Sequence, residues 1–404
     1  MREIHLLCNA HLDPVWQWQW NEGAGAGLST FRSAVEICEE NDDLIFCHNE
    51  AHLYQIIEEY EPDLFARIQI LVTKGQWHIM GGWYLQPDCN LPCGESFVRQ
   101  MLIGRNYFFE KFHTVPKIAV NFDSFGHTRG LVQILKKGAY KGYVFMRPDA
   151  RELDLPADDF AWIGVDGSVL PCHRIMPGYN SAMGEATDKI EQWIKKYPDT
   201  QKGLVTWGIG NHGGGPSRKD VKEIRATMIR HPEYKMHHST PECYFCDTDE
   251  VRLLRYQGDL RPNQIGSYTS QQSIKKTYRL LENELWKTEK MLSAANLLGV
   301  MEYPENDLKQ VQRDLLTAQF HDILAGTSIE PVEQDALRLM HHGLEILSRL
   351  ATKAFFALCI GQPKALSDET PILILNPHPY PVEGIFCCEY SLEDQNWSEQ
   401  FTVP

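Results

Sequence analysis

Short apolar stretches alternate with amphipathic stretches through the first 240 residues of the chain. Each apolar stretch is only four or five residues long and is bounded by Gly, Asn or Asp, which is typical of strands buried on both faces. The intervening stretches have helical spacing, as in residues 96–112 and 188–196, and this order implies parallel strands joined by helical crossovers. We therefore predict an α/β fold with strands at residues 4–8, 44–47, 77–80, 118–122, 142–146 and 203–207.

After about residue 265 the apolar residues follow a helical period instead. Two long series recur at alternating intervals of three and four residues, and a shorter series accompanies them. Such series are typical of long helices that pack side by side, so a helical bundle is predicted after the α/β part. The three series are Ile274, Tyr278, Leu281, Leu285, Thr288, Leu292 and Ala295; Leu308, Val311 and Leu315; and Leu337, Met340, Leu344, Leu347, Ala351, Ala354 and Leu358.

Two further apolar stretches, at residues 371–375 and 384–390, flank a proline-rich turn near the end of the sequence. They predict β-strands. Because two strands are not an independent fold, we expect them to begin a β domain that the chain does not complete.

Charge and cysteine content narrow the classes of function. Lys and Arg number 39 against 54 Asp and Glu, so the net charge is −15 and argues against nucleic acid or an anionic membrane as the main partner. Eleven scattered cysteines, with no signal peptide and no membrane-length apolar run, favour a cytoplasmic protein. A homo-oligomer is compatible with the sequence.

Polar residues that could bind a metal follow several predicted strands and one predicted helix. His11 and Asp13 come just after the first strand, and residues two apart in extended chain point the same way. Asp123 follows a strand expected to be fully buried, and His321 with Asp322 ends a bundle helix. Each also has a structural interpretation, as a helix cap, a turn or a core histidine. Together His11, Asp13, Asp123 and His321 suit zinc or another divalent first-row ion.

Five motifs in order resemble glycoside hydrolase family 38, the zinc-dependent α-mannosidases. They run from residue 9 to about residue 330: HLDPVW, NFDSFGH, GIGNHGGGP, GSYTSQQSIKKTYRLLENEL and QFHDILAGTS. The resemblance implies a seven-stranded parallel α/β barrel at residues 1–262, a three-helix bundle at 263–362 and the start of a truncated β-sandwich domain at 363–404. It also implies hydrolysis of terminal α-mannosides with retention.

The same resemblance assigns roles to individual residues. It implies one Zn²⁺ per chain, bound by His11, Asp13, Asp123 and His321, with Asp123 also the nucleophile of a glycosyl-enzyme. It implies a sugar platform and further substrate contacts at Trp16, Phe125, Arg147 and Asp322.

The glycine-rich loop departs from the family pattern. Many relatives have an acid/base Asp where this chain has Asn211-His212. An amide cannot protonate a leaving group but an imidazole can, so we predict His212 as the general acid, with Asp220, Glu95 and Asp88 as alternatives.

Two other functions stay open from the sequence. One is a different metal-dependent carbohydrate hydrolase, such as a deacetylase. The other is an inactive truncated fragment that binds zinc and sugar without turnover.

Overall fold

The computed structural model describes residues 2–260, 263–363, 365–366, 369 and 371–389. Its strands are β1 Arg2–Asn9, β2 Phe46–Glu50, β3 Trp77–Trp83, β4 Ile118–Asn121, β5 Gly142–Phe145, β6 Asp159–Ile163, β7 Val169–Arg174, β8 Lys202–Trp207, β9 Tyr234–His238 and β10 Arg255–Tyr256. Its helices are α1 Trp20–Glu39, α2 Ala51–Tyr60, α3 Pro62–Lys74, α4 Gly94–Phe112, α5 Leu131–Lys137, α6 Ala186–Lys196, α7 Arg218–Arg230, α8 Pro241–Phe245, α9 Gln272–Leu297, α10 Glu305–Ala318, α11 His321–Leu324 and α12 Glu330–Leu358.

The predicted α/β fold is confirmed. All six predicted strands are present, as β1 to β5 and β8, and helices α4 and α6 cover the two stretches predicted to be helical. The six strands also share one hydrophobic cluster, to which each contributes a buried side chain: Leu7, Cys47, Met80, Val120, Val144 and Leu204. Apolar side chains of all six predicted strands therefore pack in a common core.

The predicted closed barrel of seven strands is not formed by the described residues. The strands make two sheets of five, ordered β3-β2-β1-β8 with β9 on β1, and β10-β6-β7-β5-β4. Strand β1 pairs with β8 along one edge. Its other edge is shared by β9 and β2. A hairpin adds β6 antiparallel to β7, with Gly167 at φ 82° in its turn. The Asp166-Gly167 pair is the sequence signal of that hairpin.

The chain divides into two compact units, residues 1–285 with 305–347, and residues 286–304 with 348–404. Within the first unit, α9, α10 and α12 meet at Gly343. An added Cβ there would lie 3.0 Å from Leu281, 3.5 Å from Asp314 and 3.6 Å from Val311. Every residue of the first predicted helical series is buried. In α12 the buried positions include Met340, Leu347 and Ala354, and the other four predicted positions are partly exposed.

The two strands expected near the end of the sequence are absent from the described residues. Residues 371–389 contain no strand, and Tyr390 with residues 391–404 lies outside the described part of the chain. A strand needs a neighbour for its backbone hydrogen bonds, and the described part of this segment has none. The domain boundaries at 262 and 362 stay predictions. Among the described helices, none is both long and apolar enough to cross a membrane.

Candidate metal and glycoside site

His11 and Asp13 lie directly beyond the carboxyl end of β1. His11 Nε2 is 2.9 Å from Asp13 Oδ1, and both side chains are almost completely buried. The glycine-rich loop after β8 fixes this turn, because Asn211 donates its backbone N–H to His11 O at 2.6 Å and accepts that of Asp13 at 3.0 Å. Helix α1 begins at Trp20, so Asp13 does not cap it.

His321 approaches from the helical part of the same unit, at the first position of the short helix α11. Its Nε2 lies 3.5 Å from Asp13 Oδ1 and 3.6 Å from Asp322 Oδ2. The backbone of Gln86 holds the ring from behind, since Gln86 O accepts hydrogen bonds from the backbone N–H of His321 at 3.3 Å and from its Nδ1 at 3.2 Å. The metal-facing nitrogen of His321 is therefore Nε2.

Asp123 follows β4 and completes the group. Ligand atoms of His11, Asp123 and His321 lie within 4.8 Å of one another, as do those of Asp13, His321 and Asp322. The two triplets share His321, so the structure brings together all four residues predicted as metal ligands. Asp123 is the most open of the four, with 14% of its side chain exposed, and Arg147 Nε donates to its Oδ1 at 2.5 Å.

Three buried atoms of this group have no hydrogen-bond partner in the described part of the chain: His11 Nε2, Asp13 Oδ1 and His321 Nε2. Buried polar atoms without partners are rare in folded proteins and costly. Two imidazole nitrogens and a carboxylate oxygen that face one another are the donor set of zinc and similar ions. The residues present therefore fit a divalent metal.

The electrostatics of the group point the same way. Burial opposes the charge on His321, but Asp322 and Asp13 outweigh it and raise the pKa of His321 to about 10. Burial opposes ionisation of Asp13, yet His11 and His321 outweigh it and lower its pKa. Burial raises the pKa of Asp322 to about 7. Asp13 and Asp322 thus favour a positive charge at the imidazoles, which a proton or a bound cation can supply.

Two buried residues behind the ligands were not among the predicted site residues. The side-chain nitrogen of Gln86 lies 3.0 Å from His11 Nδ1 and 2.9 Å from Glu50 Oε1, and its side-chain oxygen accepts the backbone N–H of Phe122 at 2.7 Å. Burial raises the pKa of Glu50 to about 7. Both residues follow the rule that located Asp123, since Glu50 ends β2 and Gln86 lies three residues beyond β3.

Three of the predicted sugar-binding residues contact the same group, namely Phe125, Arg147 and Asp322. Phe125 packs edge-on against His321, with ring centres 6.2 Å apart, and lies 5.7 Å from the Arg147 guanidinium. Trp16 is partly exposed and contacts Trp18 edge-on at 5.7 Å. Asp322 accepts a hydrogen bond from the Thr327 hydroxyl.

His212 lies in the loop that binds the His11–Asp13 turn, one residue after Asn211. Its Nε2 is 2.7 Å from Glu22 Oε1, its ring centre is 4.4 Å from that of Trp18, and its side chain is half-exposed. The Tyr179 hydroxyl donates to the side chain of Asn211.

The three alternative acids have other contacts. Asp220 is buried and accepts from Ser217 and from the backbone of Gly184 and Ala186. Asp88 is buried and caps a turn at residues 90–91. Glu95 pairs with Arg99 on the surface of α4.

Comparison with known proteins gives a consistent set of relatives. The chain is 29% identical over 392 residues to alpha-mannosidase 2C1 of Mus musculus, covering 93% of this chain and 37% of that protein. It is 26% identical over 380 residues to an alpha-mannosidase of Saccharomyces cerevisiae, covering 87% and 34%. The chain thus spans little more than a third of the length of these relatives. Its fold matches the crystal structure of an alpha-mannosidase from Enterococcus faecalis V583 with a TM-score of 0.75 at 18% identity, covering 89% of this chain and 43% of that one.

Family models match most of the chain. Residues 265–358 match the alpha mannosidase middle domain. Residues 1–262 match the N-terminal domain of glycosyl hydrolases family 38, and the chain therefore belongs to that family.

Proposed function

We propose that this chain carries the active site of a retaining, zinc-dependent α-mannosidase that hydrolyses terminal α-mannosides. The observation that carries the proposal is the meeting of His11, Asp13, Asp123 and His321 around three ligand atoms that have no partner among the described residues. Asp123 is the most exposed of the four and is bonded to Arg147. The names of the relatives support the substrate class.

In this proposal His11, Asp13, Asp123 and His321 hold one Zn²⁺. When bound, the ion supplies positive charge that orients and polarises hydroxyl groups of the sugar. Gln86 positions the imidazoles of His11 and His321 from behind through the contacts above.

Asp123 acts as the nucleophile. A carboxylate oxygen of Asp123 forms a bond to the anomeric carbon while the glycosidic C–O bond breaks, and the leaving oxygen takes a proton from the general acid. A water molecule then attacks the glycosyl ester, gives its proton to the same acid/base group and releases Asp123. Arg147 holds the carboxylate in one orientation through the 2.5 Å hydrogen bond.

The remaining predicted residues bind the sugar. The partly exposed ring of Trp16 offers an aromatic face to the C–H side of a pyranose, and Phe125 shapes the wall beside His321. Asp322 offers a carboxylate oxygen to sugar hydroxyls. Each of these roles depends on the mannosidase proposal.

His212 is our proposed acid/base residue. Its contact with Glu22 can hold the ring in one orientation. His212→Ala should lose far more activity on a mannoside with a poor leaving group than on an activated aryl mannoside, because only the first needs protonation. Equal losses on both substrates would exclude His212.

Exchange of Asp123 tests the proposal as a whole. Asp123→Asn removes the nucleophile but keeps the shape, so hydrolysis of an aryl α-mannoside should fall by at least about 1,000-fold. Asp149→Asn is the matched control, a partly exposed aspartate in the loop after β5 whose exchange should leave activity unchanged. Full activity of Asp123→Asn would overturn the mechanism. Absence of turnover by the 404-residue chain, with turnover by a longer chain, would instead support the interpretation as an inactive fragment.

We also propose a reducing, cytoplasmic setting. All eleven cysteines are free thiols, and Cys387 and Cys388 are exposed, which fits a reducing compartment. Labelling of these thiols in freshly lysed cells tests this. Extensive oxidation in the native protein would contradict it.

A further inference from the structure

A second group of metal-ligand side chains lies near the amino end of β1, away from the site described above. Glu3 and His5 are two residues apart on one strand and therefore project from the same face. His237 of β9 is the register partner of His5. Ligand atoms of Glu3, His5 and His237 all lie within 4.8 Å of one another.

The two imidazoles present unused nitrogens. His5 Nε2 and His237 Nδ1 are buried atoms that have no hydrogen-bond partner among the described residues. His5 is 4% exposed, and its Nδ1 lies 2.7 Å from the Ser239 hydroxyl. When Nδ1–H donates to Ser239, the lone pair of His5 is left on Nε2, which faces Glu3. A nitrogen buried in this way is costly unless a ligand uses it.

The distances suit a small divalent cation. Glu3 Oε2 lies 3.9 Å from His5 Nε2, and Glu3 Oε1 lies 3.8 Å from His237 Nδ1. Ligand atoms about 2.0–2.1 Å from a tetrahedral zinc ion are about 3.4 Å apart, so each pair must close by about half an ångström. The side chains of Glu3 and His237 are partly exposed, and a water molecule would supply the fourth ligand.

Lys235 is the group that competes with a cation here. Its Nζ donates to Glu3 Oε1 at 2.8 Å, but it leaves Oε2 unbonded, and its own side chain is largely exposed and can turn into solvent. Lys202 and Asp247 are also near His5, and they pair with each other. The neighbouring lysines therefore do not prevent Glu3, His5 and His237 from binding a metal ion.

We propose that Glu3, His5 and His237 form a second divalent metal site, best suited to Zn²⁺, that ties strand β9 to strand β1. Two histidines and one carboxylate are a common zinc ligand set. His5 and His11 are six residues apart, about 20 Å at about 3.3 Å per residue, so this ion is structural and takes no part in the proposed hydrolysis.

Metal content tests the proposal. The full chain and its variants are stripped with a chelator, dialysed against micromolar ZnSO₄ and measured for zinc per chain. His237→Ala and Glu3→Gln should each hold one zinc fewer than the wild type. On adding zinc, the wild type should gain a few degrees more in Tm than either variant. His231→Ala is the matched control, because both nitrogens of His231 already contact Glu191 and Glu233.

The site can be separated from the proposed catalytic metal. His321→Ala should lose the zinc of the proposed catalytic site instead. The double variant with His237→Ala should lose both zinc ions. Equal zinc content in His237→Ala and wild type would overturn the proposal. A difference in zinc content between His237→Ala and the wild type that is seen only at millimolar zinc would also overturn it, because that would indicate an adventitious ion only. If the mannosidase proposal fails, the results for His321→Ala and the double variant change, but the comparison of His237→Ala with the wild type does not.

Discussion

The Arg147 guanidinium donates from Nε to Asp123 Oδ1 across 2.5 Å and lies 5.7 Å from the centre of the Phe125 ring. Hydrogen bonds between charged groups are short and strong, and loss of one partner leaves the other charge partly buried and unpaired. Arg147 therefore holds the proposed nucleophile through a charged hydrogen bond and is itself packed against Phe125.

Exchange of Arg147 should lower turnover. Truncation of one partner of such a pair costs about 2–5 kcal/mol, so Arg147→Met should reduce kcat/KM by about 30- to 3,000-fold. Arg147→Lys keeps the charge but loses the planar guanidinium group, so its kcat/KM should lie between those of the wild type and Arg147→Met. Arg151→Met is the control, because that arginine is exposed and pairs only with Asp149. Wild-type kcat/KM in Arg147→Met would contradict this role.

Gln86 links both imidazoles of the proposed zinc site to Glu50 and to the backbone before Asp123. Residues of this kind hold metal ligands in place, and their loss usually costs about 10- to 100-fold in metal affinity. We expect Gln86→Leu to weaken zinc binding by that amount, measured by competition with a chelator.

Gln76→Leu provides the matched control. Gln76 is also a buried glutamine with two hydrogen bonds, to Cys38 O and Asn41 O, but it contacts no proposed ligand. Both variants should lose stability, and only Gln86→Leu should lose zinc affinity. Equal affinity in the two would show that Gln86 does not position the ligands.

The positions of the strands that carry the site can be predicted from the sequence, but the pairing of those strands into sheets cannot. Asp123 and His11 could be located because a polar residue directly after a buried apolar strand stands out against its neighbours. Glu50 and Gln86 obey the same rule, but a single carboxylate or amide has no partner at a recognisable spacing in the sequence. The closed barrel was wrong because, in the described residues, no strand pairing joins β3 to β4 or β8 to the second sheet. Pairing between distant strands is not encoded by local periodicity.

Gly104 sets the distance between α4 and β3. A Cβ at this position would lie closer than 3.0 Å to backbone atoms of Gly82, Trp83 and Tyr84, which cannot move as a flexible side chain can. Gly104→Ala should lower the free energy of unfolding by about 3 kcal/mol, at the upper end of overpacking costs.

Gly25 of α1 gives the opposite expectation. An added Cβ there meets nothing within 4 Å, so Gly25→Ala should raise the free energy of unfolding by about 0.5–1 kcal/mol through helix propensity. Denaturant titration measures both. A neutral Gly104→Ala would show that helix and strand can separate without cost.

His127 should make the fold sensitive to mild acid. Its Nε2–H donates to Arg147 O at 2.9 Å and its Nδ1 accepts from the Tyr143 hydroxyl at 2.8 Å, so the folded protein requires the neutral ring. Burial lowers the pKa of His127 to about 3, from 6.5. Burial also lowers the pKa of His48 to about 3 and those of His52 and His238 to about 4.

The sign follows from proton uptake. As the pH falls below about 6.5, the unfolded chain protonates these histidines while the folded chain does not, so the free energy of unfolding decreases. The contribution of His127 is complete above pH 6.5 and is lost progressively towards pH 3, with a slope of up to about 1.4 kcal/mol per pH unit. His127→Gln should reduce the slope between pH 6.5 and 4 by about that amount in urea titrations. His341→Gln, an exposed position on α12, should leave the slope unchanged. An unaltered slope in His127→Gln would mean that this ring does not need to be neutral in the folded state.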